Sequence, residues 1–113
     1  MLSEQDLKTV LDKVAVHSLQ EFGSSLNDII LYGSYARGTQ EEGSDIDIMI
    51  IVDEKPEKLR EHRRSFSKLT SHLDLEYGAA VSPLLKDAET FEYWRDVLPF
   101  YRTVDAEGIR ISA

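Results

Sequence analysis

Two aspartates one residue apart, Asp45 and Asp47, and a Gly33-Ser34 pair ten residues ahead of them form the stretch where residue types and spacing could do chemistry. On an extended segment alternate side chains share a face, so Asp45 and Asp47 would stand about 7 Å apart while Ile46 and Ile48 point the other way. Ionised carboxylates only accept hydrogen bonds. One or two of them, completed by phosphate oxygens and water, suffice to hold Mg2+. Gly33 lets the backbone come close to a phosphate, and the amides of a tight turn or helix start donate to its oxygens. Ser34 adds a hydroxyl and Arg37 a positive charge. Taken alone, Gly33-Ser34 is most simply a turn after a strand, and paired aspartates could be charges that protect an edge strand. Linked at this spacing, they read as a site for a metal ion and a triphosphate.

The elements that must position them are legible on either side. Ser3 with Asp6 resembles a helix-capping box with Asp in place of Glu, and Leu7, Val10, Leu11 and Val14 follow at helical spacing, which predicts a helix over about residues 4–22. Gly23-Ser24-Ser25 ends it, and Ile29-Ile30-Leu31-Tyr32 reads as a buried strand that stops at Gly33. Residues 33–44 hold three glycines and read as a turn, with at most one helical turn, and a loop. Ile46 to Val52 is a second strand, closed by Asp53 to Lys55. Pro56 suits a first helical position, and Leu59, Phe66, Leu69 and Leu73 make one apolar stripe, opposite a solvated face of Arg60, Arg63, Arg64 and Lys68. A third strand is expected over residues 78–85, with Pro83 at its end or on a sheet edge. A short helix over residues 88–97 follows. The tail from Pro99 to Ile111 has no clear period and reads as extended, with Gly108 in a turn. Helices interspersed with strands, with connections too long for hairpins, indicate an α/β or α+β sheet covered by helices.

At 113 residues the chain suits one domain spanning residues 1–113. Its 42% hydrophobic and 30% charged residues fit a folded globular protein rather than a disordered one. With no cysteine there is no disulfide, thiolate zinc site or cysteine nucleophile. The three histidines, His17, His62 and His72, are scattered. No apolar run approaches a membrane span, and a cytoplasmic location is the default expectation. A formal net charge of −8 disfavours direct nucleic-acid binding. A polyanionic nucleotide could still bind where a divalent ion offsets the acidic site. Trp94, Tyr93, Phe100 and Tyr101 are most simply packing residues, with a partner-facing aromatic cluster as the alternative.

The pattern Gly-Ser, ten residues, Asp-any-Asp, met by Gly33-Ser34 and Asp45-Ile46-Asp47, resembles the nucleotidyltransferase superfamily that includes DNA polymerase β, and specifically its minimal bacterial and archaeal branch. The flanking Tyr35-Ala36-Arg37-Gly38 and Ser44 are also similar to that family. The resemblance implies the nucleotidyltransferase fold, a small mixed β-sheet flanked by helices. It implies Asp45 and Asp47 as catalytic ligands of Mg2+, one ion or two, and Gly33, Ser34, Arg37 and Ser44 as nucleotide-binding residues. It implies transfer of a nucleoside monophosphate from a triphosphate, ATP being the expected donor, to an acceptor hydroxyl. Members of the family commonly carry a third carboxylate on the next strand, and here Gly78 stands where the pattern often has aspartate. Asp74 and Glu76 lie just upstream, at the expected end of the preceding helix.

So short a chain supplies the nucleotide half of a transferase, and the acceptor must come from elsewhere. For minimal members the resemblance implies a separately encoded HEPN-domain protein, with the nucleotidyltransferase as antitoxin that adenylylates a tyrosine of its toxin partner. A second reading is a catalytically impaired module that neutralises or regulates its partner by contact alone, with position 78 as the feature that separates the two. A third, a small-molecule nucleotidyltransferase, is disfavoured for want of an acceptor domain, although a homo-oligomer could build one.

Overall fold

A computed structural model describes residues 2–111. The first helix, α1 (Glu4–Phe22), begins where Ser3 Oγ accepts a hydrogen bond from the Asp6 amide at 3.0 Å. It buries Val10, Val14, Ala15 and Phe22 on one face. Gly23 ends it at φ 55°, and a 3-10 turn (Gly23–Ser25) leads into β1 (Leu26–Tyr32). That strand starts before the apolar run at residue 29, because Leu26 pairs with Val52 at the far end of β2 (Ile46–Val52).

The expected helix after Pro56 is divided into α3 (Pro56–Leu59), a 3-10 turn (Arg60–His62) and α4 (Arg63–Tyr77), which still present Leu59, Phe66 and Leu73 to the core. Arg60, Arg63, Arg64 and Lys68 are exposed, as an amphipathic helix requires. The third strand, β3 (Val81–Asp87), starts three residues later than the sequence suggested. Gly78 to Ala80 are not in it, since Gly78 adopts the left-handed conformation (φ 65°) that caps α4, its amide donating to Asp74 O at 2.8 Å. Pro83 sits inside β3, an edge strand, where a missing donor is tolerated.

The tail departs furthest from expectation. After α5 (Ala88–Trp94), which Asp87 caps through the Thr90 amide at 2.9 Å, residues 99–107 form a helix, α6 (Pro99–Glu107), and β4 (Ile109–Arg110) joins the sheet. Pro99 occupies the first turn, and Tyr101 and Val104 turn to the core. Phe91 and Tyr101 meet edge to face at 5.9 Å, whereas Tyr93 is 70% exposed. Gly108 caps α6 and sits against Ile30.

The four strands lie in the order β3-β2-β1-β4, with β1 antiparallel to β2 and β4, and β2 parallel to β3. This is the small mixed sheet flanked by helices that the family resemblance implied. Alternation along β2 sends Ile46, Ile48, Ile50 and Val52 to the side covered by α1 and α4. Met49 and Ile51 face α5 and α6. Each such aliphatic side chain contributes roughly 1.5–3 kcal/mol when fully buried, so β2 is anchored from both sides along most of its length. Asp47, at its beginning, is the polar interruption on the α5–α6 side. Among the described residues no helix is long and apolar enough to cross a membrane.

Candidate metal and nucleotide site

The stretch between β1 and β2 is a compact turn built on glycine geometry. Gly33 adopts φ 74°, ψ −153°, a region closed to other residues, and serves as the N-cap of the single-turn helix α2 (Ser34–Arg37). Its carbonyl accepts from the amides of Ala36 and Arg37, both at 3.1 Å. The amides of Ser34 and Tyr35, at the start of that turn, have no intrahelical acceptor. Gly38, left-handed at φ 74°, ends the turn, and the Thr39 amide donates back to Ser34 O at 3.0 Å.

Ser44 fastens the following loop. The Glu41 amide donates to Ser44 Oγ at 2.9 Å, and the Ser44 amide donates to Glu41 O at 3.0 Å. This reciprocal pair sets the chain's entry into β2, so Ser44 positions Asp45, and its hydroxyl, which accepts here, keeps its O–H to donate to another group. Asp45 is exposed and lies one residue ahead of the strand. Asp47, partly buried, pairs with Tyr32 across the sheet.

Asp47 and Gly33 fit one another. A Cβ added to Gly33 would overlap Asp47 Oδ2 and lie 3.3 Å from its Cγ, so the glycine leaves the space the carboxylate fills. Burial, and next the charge of Asp45, pushes the Asp47 carboxyl above the ordinary aspartate value, and Arg37 opposes them. Burial pushes the Tyr32 phenol up as well, and the charge of Asp47 adds to it. A divalent cation would relieve the repulsion between the two aspartates. Two carboxylate donors suit a hard ion that takes its remaining ligands from phosphate and water, which is the ordinary habit of Mg2+.

The structure brings Gly33, Ser34, Asp45 and Asp47 to one end of the sheet, with Arg37 close enough to act on Asp47. It leaves Asp74 and Glu76 on the other face of the sheet. Both lie exposed on α4, which covers the opposite face. Position 78, being a helix cap, is not the strand position beside Asp47. Ser82 holds that place, in register with Asp47 across the parallel β2–β3 pair.

Four neighbours were not visible as site residues from the sequence: Tyr32, Ser82, Phe100 and Glu107. The Phe100 ring meets Tyr32 edge to face at 5.7 Å, and Glu107 Oε2 lies 3.9 Å from Arg37 Nη1, so α6 walls the site. Tyr101 and Val104 behind Pro99 are the trace of that helix in the sequence, too short a run to establish a period. A cleft of about 380 Å3 opens on the other side of the loop, between Asp6, Tyr35, Glu42, Ser44 and Tyr77, and is not lined by either aspartate of the pair.

Residues 12–100 match the family model described as a nucleotidyltransferase domain. A protein of Methanocaldococcus jannaschii whose name carries a provisional protein adenylyltransferase assignment is 34% identical over 84 residues, 74% of this chain and 57% of that protein. The chain thus spans less than two thirds of that relative's length. The protein adenylyltransferase MntA of Thermococcus cleftensis is 28% identical over 88 residues, 78% of this chain and 82% of its own. Among solved structures, a Sulfolobus solfataricus protein described as a nucleotidyltransferase superposes with a TM-score of 0.57 at 19% identity, covering 95% of this chain and 82% of the other. A toxin–antitoxin complex with AMP-PNP gives 0.53 at 22% identity, covering 91% and 73%. The structural likenesses agree on the fold, and the family model spans most of the sequence together with the Gly33-Ser34 and Asp45-Ile46-Asp47 motif: the chain belongs to the nucleotidyltransferase domain family.

Proposed function

We propose that this chain is a Mg2+-dependent nucleotidyltransferase that moves AMP from ATP to a hydroxyl of a partner protein, with release of pyrophosphate. The observation that carries this reading is the fit of Gly33 to Asp47, in which a glycine at a helix start, in a conformation other residues do not adopt, faces a carboxylate of perturbed acidity. Asp45 and Asp47 would hold the ion. When bound, it would neutralise the triphosphate and stabilise charge that develops at the α-phosphate. Gly33 and Ser34 orient the β and γ phosphates through backbone amides and a hydroxyl, and Arg37 adds a cationic contact. Ser44 keeps Asp45 in place.

The acceptor comes from another chain. In our reading it is a tyrosine of a HEPN-domain toxin, for which this protein is the antitoxin. Support comes from the relative named protein adenylyltransferase MntA and from the fold shared with a toxin–antitoxin complex. A second reading, favoured by Ser82 in place of a carboxylate, is a nucleotide-binding module that neutralises its partner by contact alone.

Isothermal titration of ATP and a non-hydrolysable analogue, with and without Mg2+, tests the site against an Asp45→Ala, Asp47→Ala double variant. Binding that needs both the ion and the aspartates is expected. Absence of binding to the unmodified chain would sink the site reading. Given binding, labelled ATP and the partner separate the two readings: in the enzyme Asp45→Ala abolishes transfer and neutralisation together, whereas a contact module keeps neutralising.

A further inference from the structure

Resting on the nucleotide-site reading above, we propose that this site takes one divalent ion with its nucleotide rather than two, and that Ser82 stands where a ligand for a second ion is missing. Parallel pairing sets Ser82 beside Asp47. Antiparallel pairing sets Tyr32 on its other side. Residues in register on neighbouring strands turn their side chains to the same face, so the row across the sheet is a phenol, a carboxylate and an alcohol.

Two ions about 3.5–4 Å apart repel one another, and a paired site needs enough negative charge between and around them to offset that. Asp45, Asp47 and triphosphate oxygens complete one hard ion. Ser82 brings no charge toward a second. None of the neighbouring carboxylates sits on the Tyr32–Asp47–Ser82 row. Asp74 and Glu76 are on the helix that covers the other face. Asp87 is buried at the far end of β3, where it caps α5 through Thr90. Glu107 faces Arg37. Ser82 is exposed, as is Leu84 two residues along the same edge strand, so the row is open to solvent at that end.

Mn2+ is the probe. Free Mn2+ is followed by electron paramagnetic resonance as the ion is titrated into the full chain with an equimolar non-hydrolysable ATP analogue. Calorimetry reports in parallel whether the nucleotide is bound, and the analogue alone gives the count it carries by itself. The expected count is one ion per nucleotide-bound chain for the unmodified protein and for Ser82→Ala, and two for Ser82→Asp. Two ions on the unmodified protein overturn the proposal. So does a Ser82→Asp variant that melts normally, binds nucleotide and still takes one. If Ser82→Asp fails to fold, the unmodified count and Ser82→Ala decide. Failure of the nucleotide to bind at all, seen by calorimetry, is a separate outcome that removes the site reading and this inference with it.

Discussion

The carboxylate of Asp47 fills the space a side chain on Gly33 would need, since a Cβ there would overlap Asp47 Oδ2. The turn after β1 and the first residues of β2 are therefore one unit: a change in the turn is felt at the carboxylate, although fourteen positions separate the two in sequence.

Gly33→Ala should weaken Mg2+-ATP binding at least tenfold, because the added methyl is accommodated most cheaply by turning Asp47 away. Backbone strain should also cost roughly 1–3 kcal/mol of stability. Gly38→Ala is the control. Gly38 has φ 74° as well, but a Cβ there meets nothing within 4 Å, so about 1–2 kcal/mol is lost while binding is kept. Calorimetry and thermal melts on both variants check this, and equal loss of binding would refute the contact with Asp47 as the cause.

Asp47→Asn should stabilise the metal-free protein. The carboxyl lies above its ordinary value through burial and then through Asp45, so the folded state binds more protons than the unfolded one between the two values. Stability is greatest below that interval and falls as pH rises through it. Removing the charge should raise Tm at neutral pH by about 1–4 °C, for a like-charge penalty of roughly 0.5 kcal/mol. The same substitution should abolish the rise in stability that Mg2+ and ATP give the unmodified protein. A lower Tm for the metal-free variant would contradict the repulsion.

The motif was legible because its geometry is local: Asp47 in the strand and Asp45 just ahead of it are near neighbours in sequence, and Gly33 announces a turn without knowledge of the rest of the fold. Helix α1 was equally plain, since Ser3 caps it and Val10 and Val14 repeat at its period. Ser82 and Tyr32 could not be read that way. Their nearness to Asp47 depends on strand order and register, and the register was obscured because Gly78-Ala79-Ala80 looks like the start of a strand but contains a helix cap. The tail hid α6 for a different reason. Its apolar side is little more than Tyr101 and Val104, too short to establish a period, and the two residues of β4 carry no strand signal apart from the partners Ile30 and Leu31.

A second prediction on pH concerns the joint between α1 and α4. His62 Nδ1 lies 2.6 Å from Glu21 Oε2, Ser65 donates to Glu21 Oε1 at 2.9 Å, and His17 Nε2 reaches Ser65 Oγ at 2.7 Å. His62 Nε2 is also 3.0 Å from Glu54 Oε2, close but not aligned as a hydrogen bond. The hydrogen bond from His62 is the largest influence holding the Glu21 carboxyl below its ordinary value, burial opposes it, and Ser65 assists. For an acid so depressed, the stabilisation is present above the unfolded value and is lost as pH falls through the folded one. Glu21→Gln should therefore cost about 1 kcal/mol at neutral pH and flatten the acid limb. Urea unfolding of both proteins at a series of pH values checks it; parallel acid limbs would mean that the contact contributes nothing.

Arg37 and Glu107 give the last test, because their 3.9 Å contact joins the nucleotide loop to the C-terminal helix at the surface. Both side chains are about half exposed, at 48% and 52%, so the pair itself should contribute no more than a few tenths of a kcal/mol. If Arg37 turns to a phosphate when nucleotide binds, Glu107 competes with that phosphate for the guanidinium. Arg37→Gln should then weaken ATP binding about threefold to tenfold, the size of one exposed charge-assisted contact. Glu107→Gln should strengthen it by up to about threefold without moving Tm by more than about 2 °C. In the double variant the gain from Glu107→Gln should vanish, since its benefit passes through Arg37. Additive effects in that cycle would show that Glu107 acts on the nucleotide through its own negative charge, and that Arg37 is free of it when ATP arrives.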